Sequence, residues 1–209
     1  MTPRVSSIIF VVLALVLAAC SASDPGSSPS PVVPVEDSMS ASPTADLDQA
    51  FINMMVPHHQ SAIEMAKIAQ ERATHDELRS LADDIVSAQK SEITQLREWR
   101  QAWFGSSDTP GMDAMPLMPG MEMPGMDGMA MDGTMDMTVD IKALRTAEPF
   151  DRAFIEAMTA HHETAIAAAK IIAASTARPE LQGIAADIIE AQQREMDQMQ
   201  GWLKSWYPS

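Results

Sequence analysis

The chain is short of cysteine, of glycine and of positive charge, and each shortage removes a class of explanation. One cysteine, Cys20, in 209 residues leaves no partner for a disulfide within the chain. Nine glycines beside abundant Ala, Leu, Ile, Glu and Gln favour helix. Fourteen Lys and Arg against 29 Asp and Glu give a formal charge of -15. Such a chain repels nucleic acid and anionic membrane surfaces, so cations are its natural clients. No apolar run is long enough for a mature membrane span either: the longest, from Ile8 to Ala19, is too short.

That run does have a place in a leader. Arg4, the apolar stretch and "LAAC" ending at Cys20 form a charged region, a hydrophobic region and a small-residue cleavage site. The pattern resembles the bacterial lipoprotein signal, in which the cysteine becomes the lipidated first residue. The expectation is a signal peptide over 1–20 and an extracytoplasmic domain anchored to a bacterial membrane through lipid on Cys20. Lipidation would consume the only thiol and leave metal chemistry to His, Met and carboxylate. Residues 21–45, rich in Ser and Pro and without helical period, read as a tether.

A repeat follows. "DQAFINMMVPHHQSAIEMAKIA" from Asp48 lies over "DRAFIEAMTAHHETAIAAAKII" from Asp151 at an offset of 103 positions (58 to 161). The same offset aligns Leu78 with Leu181, Glu92 with Glu195, Trp99 with Trp202 and Trp103 with Trp206. Two copies of one helical hairpin are therefore present. Neither can bury its apolar face alone, and a four-helix bundle is the economical result. The domain spans 46–209, with hairpin one at 46–105, an insert at 106–140 and hairpin two at 141–209.

Local signals place the helices. The first should run from about Asp46 to Arg72, and the second should start at a capping box formed by Thr74 and Glu77. The third and fourth should begin near Pro149 and Pro179, each proline in a first turn. Pro57 lies inside the first helix, where a kink is expected.

Phe51, Met55, His58, Ala62, Met65 and Ala69 are spaced as a core-facing seam, and Phe154, Met158, His161, Ala165, Ala168 and Ile172 repeat it. His59 and His162 fall about 100° round the helix, on the flank. In helix two the seam reads Leu78, Leu81, Ile85, Ala88, Glu92, Gln95 and Trp99; in helix four it reads Leu181, Ile184, Ile188, Ala191, Glu195, Gln198 and Trp202. Each buries a glutamate that needs a partner. In antiparallel hairpins turning near His75 and Arg178, Glu92 is level with His58 and Glu195 with His161. Both pairs are expected to meet at one height in the core. A buried ion pair that satisfies itself would account for that meeting without any ligand, and Met55, Met65 and Met158 nearby are the usual stuff of cores.

The insert is different. Ten of the chain's 18 methionines, Met112, Met115, Met118, Met121, Met123, Met126, Met129, Met131, Met135 and Met137, are interleaved there with Gly, Pro, Asp and Glu. No Lys or Arg occurs between Arg100 and Lys142. Frequent Pro and Gly forbid a regular helix, so this segment reads as a disordered connector. Thioethers are soft ligands that select Cu(I), and by extension Ag(I), and the carboxylates raise the local cation concentration.

The doubled "HHxxAI" hairpin in its "MVPHHQSAIEMA" setting resembles the domain-of-unknown-function family 305, exported proteins with a ferritin-like four-helix bundle, some of which bind copper through His and Met. The resemblance implies an all-α fold. It implicates Met54, Met55, His58, His59 and Met65 in the first copy and Met158, His161 and His162 in the second. Ala157, Ala167 and Ala168 stand where the first copy has Met54, Glu64 and Met65, so an equivalent second soft site is not implied. The combined expectation is a tethered copper-binding protein, Cu(I) favoured, serving tolerance or handover to a copper-handling partner protein, and not an enzyme. A di-metal carboxylate oxidase of ferroxidase type and a metal-free structural or partner-binding bundle are the alternatives. The first lacks Glu-x-x-His and enough seam glutamates.

Overall fold

A computed structural model describes residues 43–121 and 134–208. The fold is all-α. Four long helices dominate: α1 (Pro43–Arg72), α2 (Asp76–Phe104), α4 (Phe150–Ser175) and α5 (Pro179–Trp206), with a short α3 (Thr138–Leu144) leading into α4. Helix α1 packs along α2, α4 along α5, and α1 also packs on α4, so the two hairpins join through their first helices. Both sequence seams of α1 and α4 face this junction, every member buried.

The helix starts differ in detail from the sequence expectation. Helix α1 begins at Pro43, which the tether was expected to contain, and continues through Pro57 to Arg72. The Thr74 and Glu77 capping box does not form. His75 is the N-cap of α2 without a side-chain cap, because the Thr74 hydroxyl donates instead to Asp151 at 2.5 Å. Pro149 is the N-cap of α4 rather than a first-turn residue, whereas Pro179 does open α5. Helix α2 stops at Gly105, whose φ of 78° is the left-handed conformation that glycine adopts without cost.

Each end of the molecule is tied by an equivalent set of residues. At one end the buried Asp151 accepts from the Thr74 and His75 backbone amides, the Thr74 hydroxyl and His75 Nδ1. Trp206 stacks on the His75 ring at 3.7 Å. At the other end, offset by the same 103 positions, Asp48 accepts from Arg178 Nε at 3.0 Å, and the Arg178 guanidinium lies 4.1 Å over the Trp103 ring. Burial alone would raise the Asp151 carboxyl; its four donors outweigh burial and hold it below the usual carboxylate value.

The described part of the connector is not irregular throughout. Met112–Ala114 form a 3₁₀ turn, and β1 (Met115–Pro116) pairs antiparallel with β2 (Thr134–Met135), Met115 opposite Met135. Helix α3 straddles the boundary expected at 140/141. The 3₁₀ turn, β1 and α3 all lie against α1. That contact explains why α1 is buried on nearly its whole circumference.

Candidate metal centre

Four histidines meet where α1 crosses α4. His58, His59 and His162 are fully buried and His161 is 5% exposed. The rings of His58 and His161, one from each hairpin, lie 3.7 Å apart. Met54, Met55, Met65 and Met158 are all fully buried along the same two helices.

The glutamates find a different histidine from the one the seam suggested. His59 Nε2 donates to Glu92 Oε2 at 2.6 Å, and His162 Nε2 to Glu195 Oε2 at 2.6 Å. The height was read correctly and the partner was not. The reason lies on α2 and α5, where the buried positions in the second half are Gln89, Ile93 and Leu96, and Gln192, Met196 and Met199. Ala88, Gln95 and Gln198 are exposed, and the Glu92 and Glu195 side chains keep 17% exposure. Glu92 and Glu195 thus stand at the edge of the core and reach the flank histidines. Sequence reasoning missed the equivalent pair Gln89 and Gln192, each 3% exposed with its Oε1 unpartnered. Their offset of 103 was the signal that could have found them.

Hydrogen bonds fix the imidazole tautomers. With Nε2–H committed to carboxylate, His59 and His162 have only Nδ1 left to offer a ligand, and it is buried and unpartnered in both. Ser61 Oγ donates to the His58 carbonyl at 2.7 Å. The 2.6 Å contact between Ser61 Oγ and His161 Nε2 is therefore donated by the histidine, leaving the unpartnered Nδ1 of His161 as its acceptor. His58 has neither ring nitrogen partnered. Burial, and after it the neighbouring histidines, hold the His58 and His161 imidazoles well below their ordinary range, so both are neutral near pH 7. Neutral imidazole lone pairs beside thioethers form a donor set that suits a soft, singly charged ion. Among the described residues no three His, Cys, Asp or Glu side chains are placed to hold one ion, so methionine sulfur would have to complete any such set.

Of the connector methionines, Met115, Met118 and Met137 are buried in the same core cluster as Met54 and Met55, contrary to the expectation of a loose, disordered segment. Met112, Met121 and Met135 are half-buried. Met123, Met126, Met129 and Met131 lie outside the described residues, as do Cys20, the expected leader and all but the last three positions of the tether.

Residues 48–207 match the family described as Domain of unknown function (DUF305). The chain belongs to this family. Among solved structures, CopM in the Cu(I)-bound form is 37% identical with a TM-score of 0.61, over 77% of this chain and 97% of that one. CopM in the Cu(II)-bound form is 40% identical with the same TM-score and coverage. A DUF305 protein from Streptomyces coelicolor is 27% identical with a TM-score of 0.62, over 76% of this chain and 93% of that one. A curated relative, uncharacterized protein L153 of Acanthamoeba polyphaga mimivirus, is 37% identical over 49 residues, 23% of this chain and about a third (32%) of its own length. Beside its family membership, then, the chain has structural neighbours captured with copper.

Proposed function

We propose that this DUF305 chain is a ferritin-like four-helix bundle that binds Cu(I) or Ag(I) for tolerance or handover, held outside the cytoplasm by lipid on Cys20, and that it is not an enzyme. One observation carries the reading. Three imidazoles are oriented by oxygen partners that leave Nδ1 buried and free, and a fourth has both nitrogens free. A buried polar atom without a partner costs about 1–3 kcal/mol, so four such rings form an expensive core unless something uses them. CopM, bound to Cu(I), Cu(II) or Ag, supports the choice of ion. A purely structural role would account for the His59–Glu92 and His162–Glu195 pairs but not for His58. The oxidase reading has less support, because each glutamate is engaged by its own hairpin's imidazole.

The test is anaerobic Cu(I) titration of the whole chain against a competing chelator, in wild type and in the double variant His58→Phe, His161→Phe. Wild type should take up Cu(I), and the variant should lose the tightest ion while its helical content stays unchanged. Equal affinity in the two proteins would overturn the histidine site.

A further inference from the structure

The duplication supplies an internal control for the methionines. Met54 of α1 is fully buried, whereas its counterpart on α4, Ala157, is half-buried. The difference follows from the connector, which lies along α1 through its 3₁₀ turn and β1. Met115, Met118 and Met137 enter the core in the same cluster as Met54, at 0%, 2% and 4% exposure. The first helix therefore contributes a sulfur to the cluster that the connector sulfurs enter, and a methyl group stands at the equivalent position on α4.

The two arms of the connector are also held together before any ion arrives. Pairing of β1 with β2 sets Met115 opposite Met135. The Met137 amide donates to the Met112 carbonyl at 2.9 Å, and the Met121 amide to the Met118 carbonyl at 3.2 Å. Much of the chain entropy that an unstructured methionine loop would lose on closing round an ion is thus already lost. Leucine would fill the same volume with better-defined rotamers. Four thioethers instead offer soft donors that need no deprotonation and suit Cu(I) and Ag(I) over harder cations.

We propose that Met54, Met115, Met118 and Met137 form a second, histidine-free thioether site for a soft monovalent cation, built between α1 and the connector. It deepens, and rests on, the reading of the chain as a soft-metal binder. It also changes the connector from a loose store into one wall of a preorganised site.

Methyl-labelled methionine and ring-labelled histidine let Ag(I) titration of the whole chain follow both sites by NMR. The Met54, Met115, Met118 and Met137 methyl signals should shift together and saturate at one ion. The variant Met115→Leu, Met118→Leu, Met137→Leu keeps the packed volume. It should bind one ion fewer while the histidine rings respond as in wild type. If the rings shift and these four methyls do not, or if the leucine variant keeps the wild-type stoichiometry, the second site is overturned and the histidine centre stands. If neither set responds, both readings fall. Should the variant not fold, the wild-type methyl titration decides alone.

Discussion

Hairpins one and two carry the same seams, the same His–Glu pairs at 2.6 Å and the same tryptophan stacks at their ends, Trp99 on Trp103 and Trp202 on Trp206. They differ in what surrounds their first helix. Between Asp48 and Ala69 only Lys67 is exposed, whereas α4 exposes Arg152, Glu156, Ala160, Glu163 and Lys170. Pro57 and Met54 are buried where Ala160 is exposed and Ala157 half-buried. Two copies that began alike have taken on the residues their neighbours permit: a helix with a third wall is covered on nearly its whole circumference, and its twin keeps an exposed face that carries charge.

The ends of the molecule offer the largest break in this symmetry. Asp151 gathers four donors and is almost fully buried, so Asp151→Ala should cost about 3–5 kcal/mol by stranding them. The equivalent Asp48→Ala removes one partner from an Arg178 that still rests on Trp103, and should cost about 1–2 kcal/mol. Urea unfolding of both single variants checks the ratio, and equal losses would mean that the two ends are interchangeable after all.

The connector wall gives the next largest contrast. Met54→Ala should cost about 2–4 kcal/mol, since a cavity opens between α1 and the connector. Ala157→Met, its mirror, places the longer side chain at a half-exposed position and should stay within about 0.5 kcal/mol of wild type. Differential scanning calorimetry of the pair tests whether the third wall is what makes them unequal.

Acid should expose the feature the hairpins contribute jointly. In the folded, metal-free chain burial keeps His58 and His161 neutral well below their ordinary value of 6.5. In the unfolded chain they protonate near that value. Stability is therefore complete above about pH 6.5 and falls as pH drops toward the folded values, with a slope approaching about 1.4 kcal/mol per pH unit for each histidine. Thermal unfolding of the metal-free chain between pH 7 and pH 5 should show this fall. Single His58→Phe and His161→Phe variants should each remove a similar share, and a flat profile in wild type would contradict the buried neutral pair.

Much of this was legible beforehand because the repeat is ungapped: an offset of 103 fixes both hairpins, both turns and the height of the His and Glu residues. The partner was misread because spacing by threes and fours, extended along a 29-residue helix, averages 3.5 residues per turn. A straight helix keeps 3.6 and drifts about 20° per heptad. By Glu92, two heptads on from Leu78, the drift is about 40°, which turns Glu92 to the edge of the core while Gln89, Ile93 and Leu96 are the buried positions. The packing of Met115, Met118 and Met137 could not be read at all, since Pro and Gly announce only that a segment is not helical. Whether it rests on a neighbour depends on residues more than fifty positions away.

The two-residue ladder between β1 and β2 separates the length of the connector from the integrity of the domain. Once Met115 and Met135 are paired, insertions or deletions between Met121 and Thr134, beyond the buried Met118, change the length of chain that joins the two strands, and doubling such a length costs about 0.6 kcal/mol. Evolution or a protein engineer can therefore add or remove methionines there, in steps of a few residues, and vary the number of thioethers without renegotiating the fold.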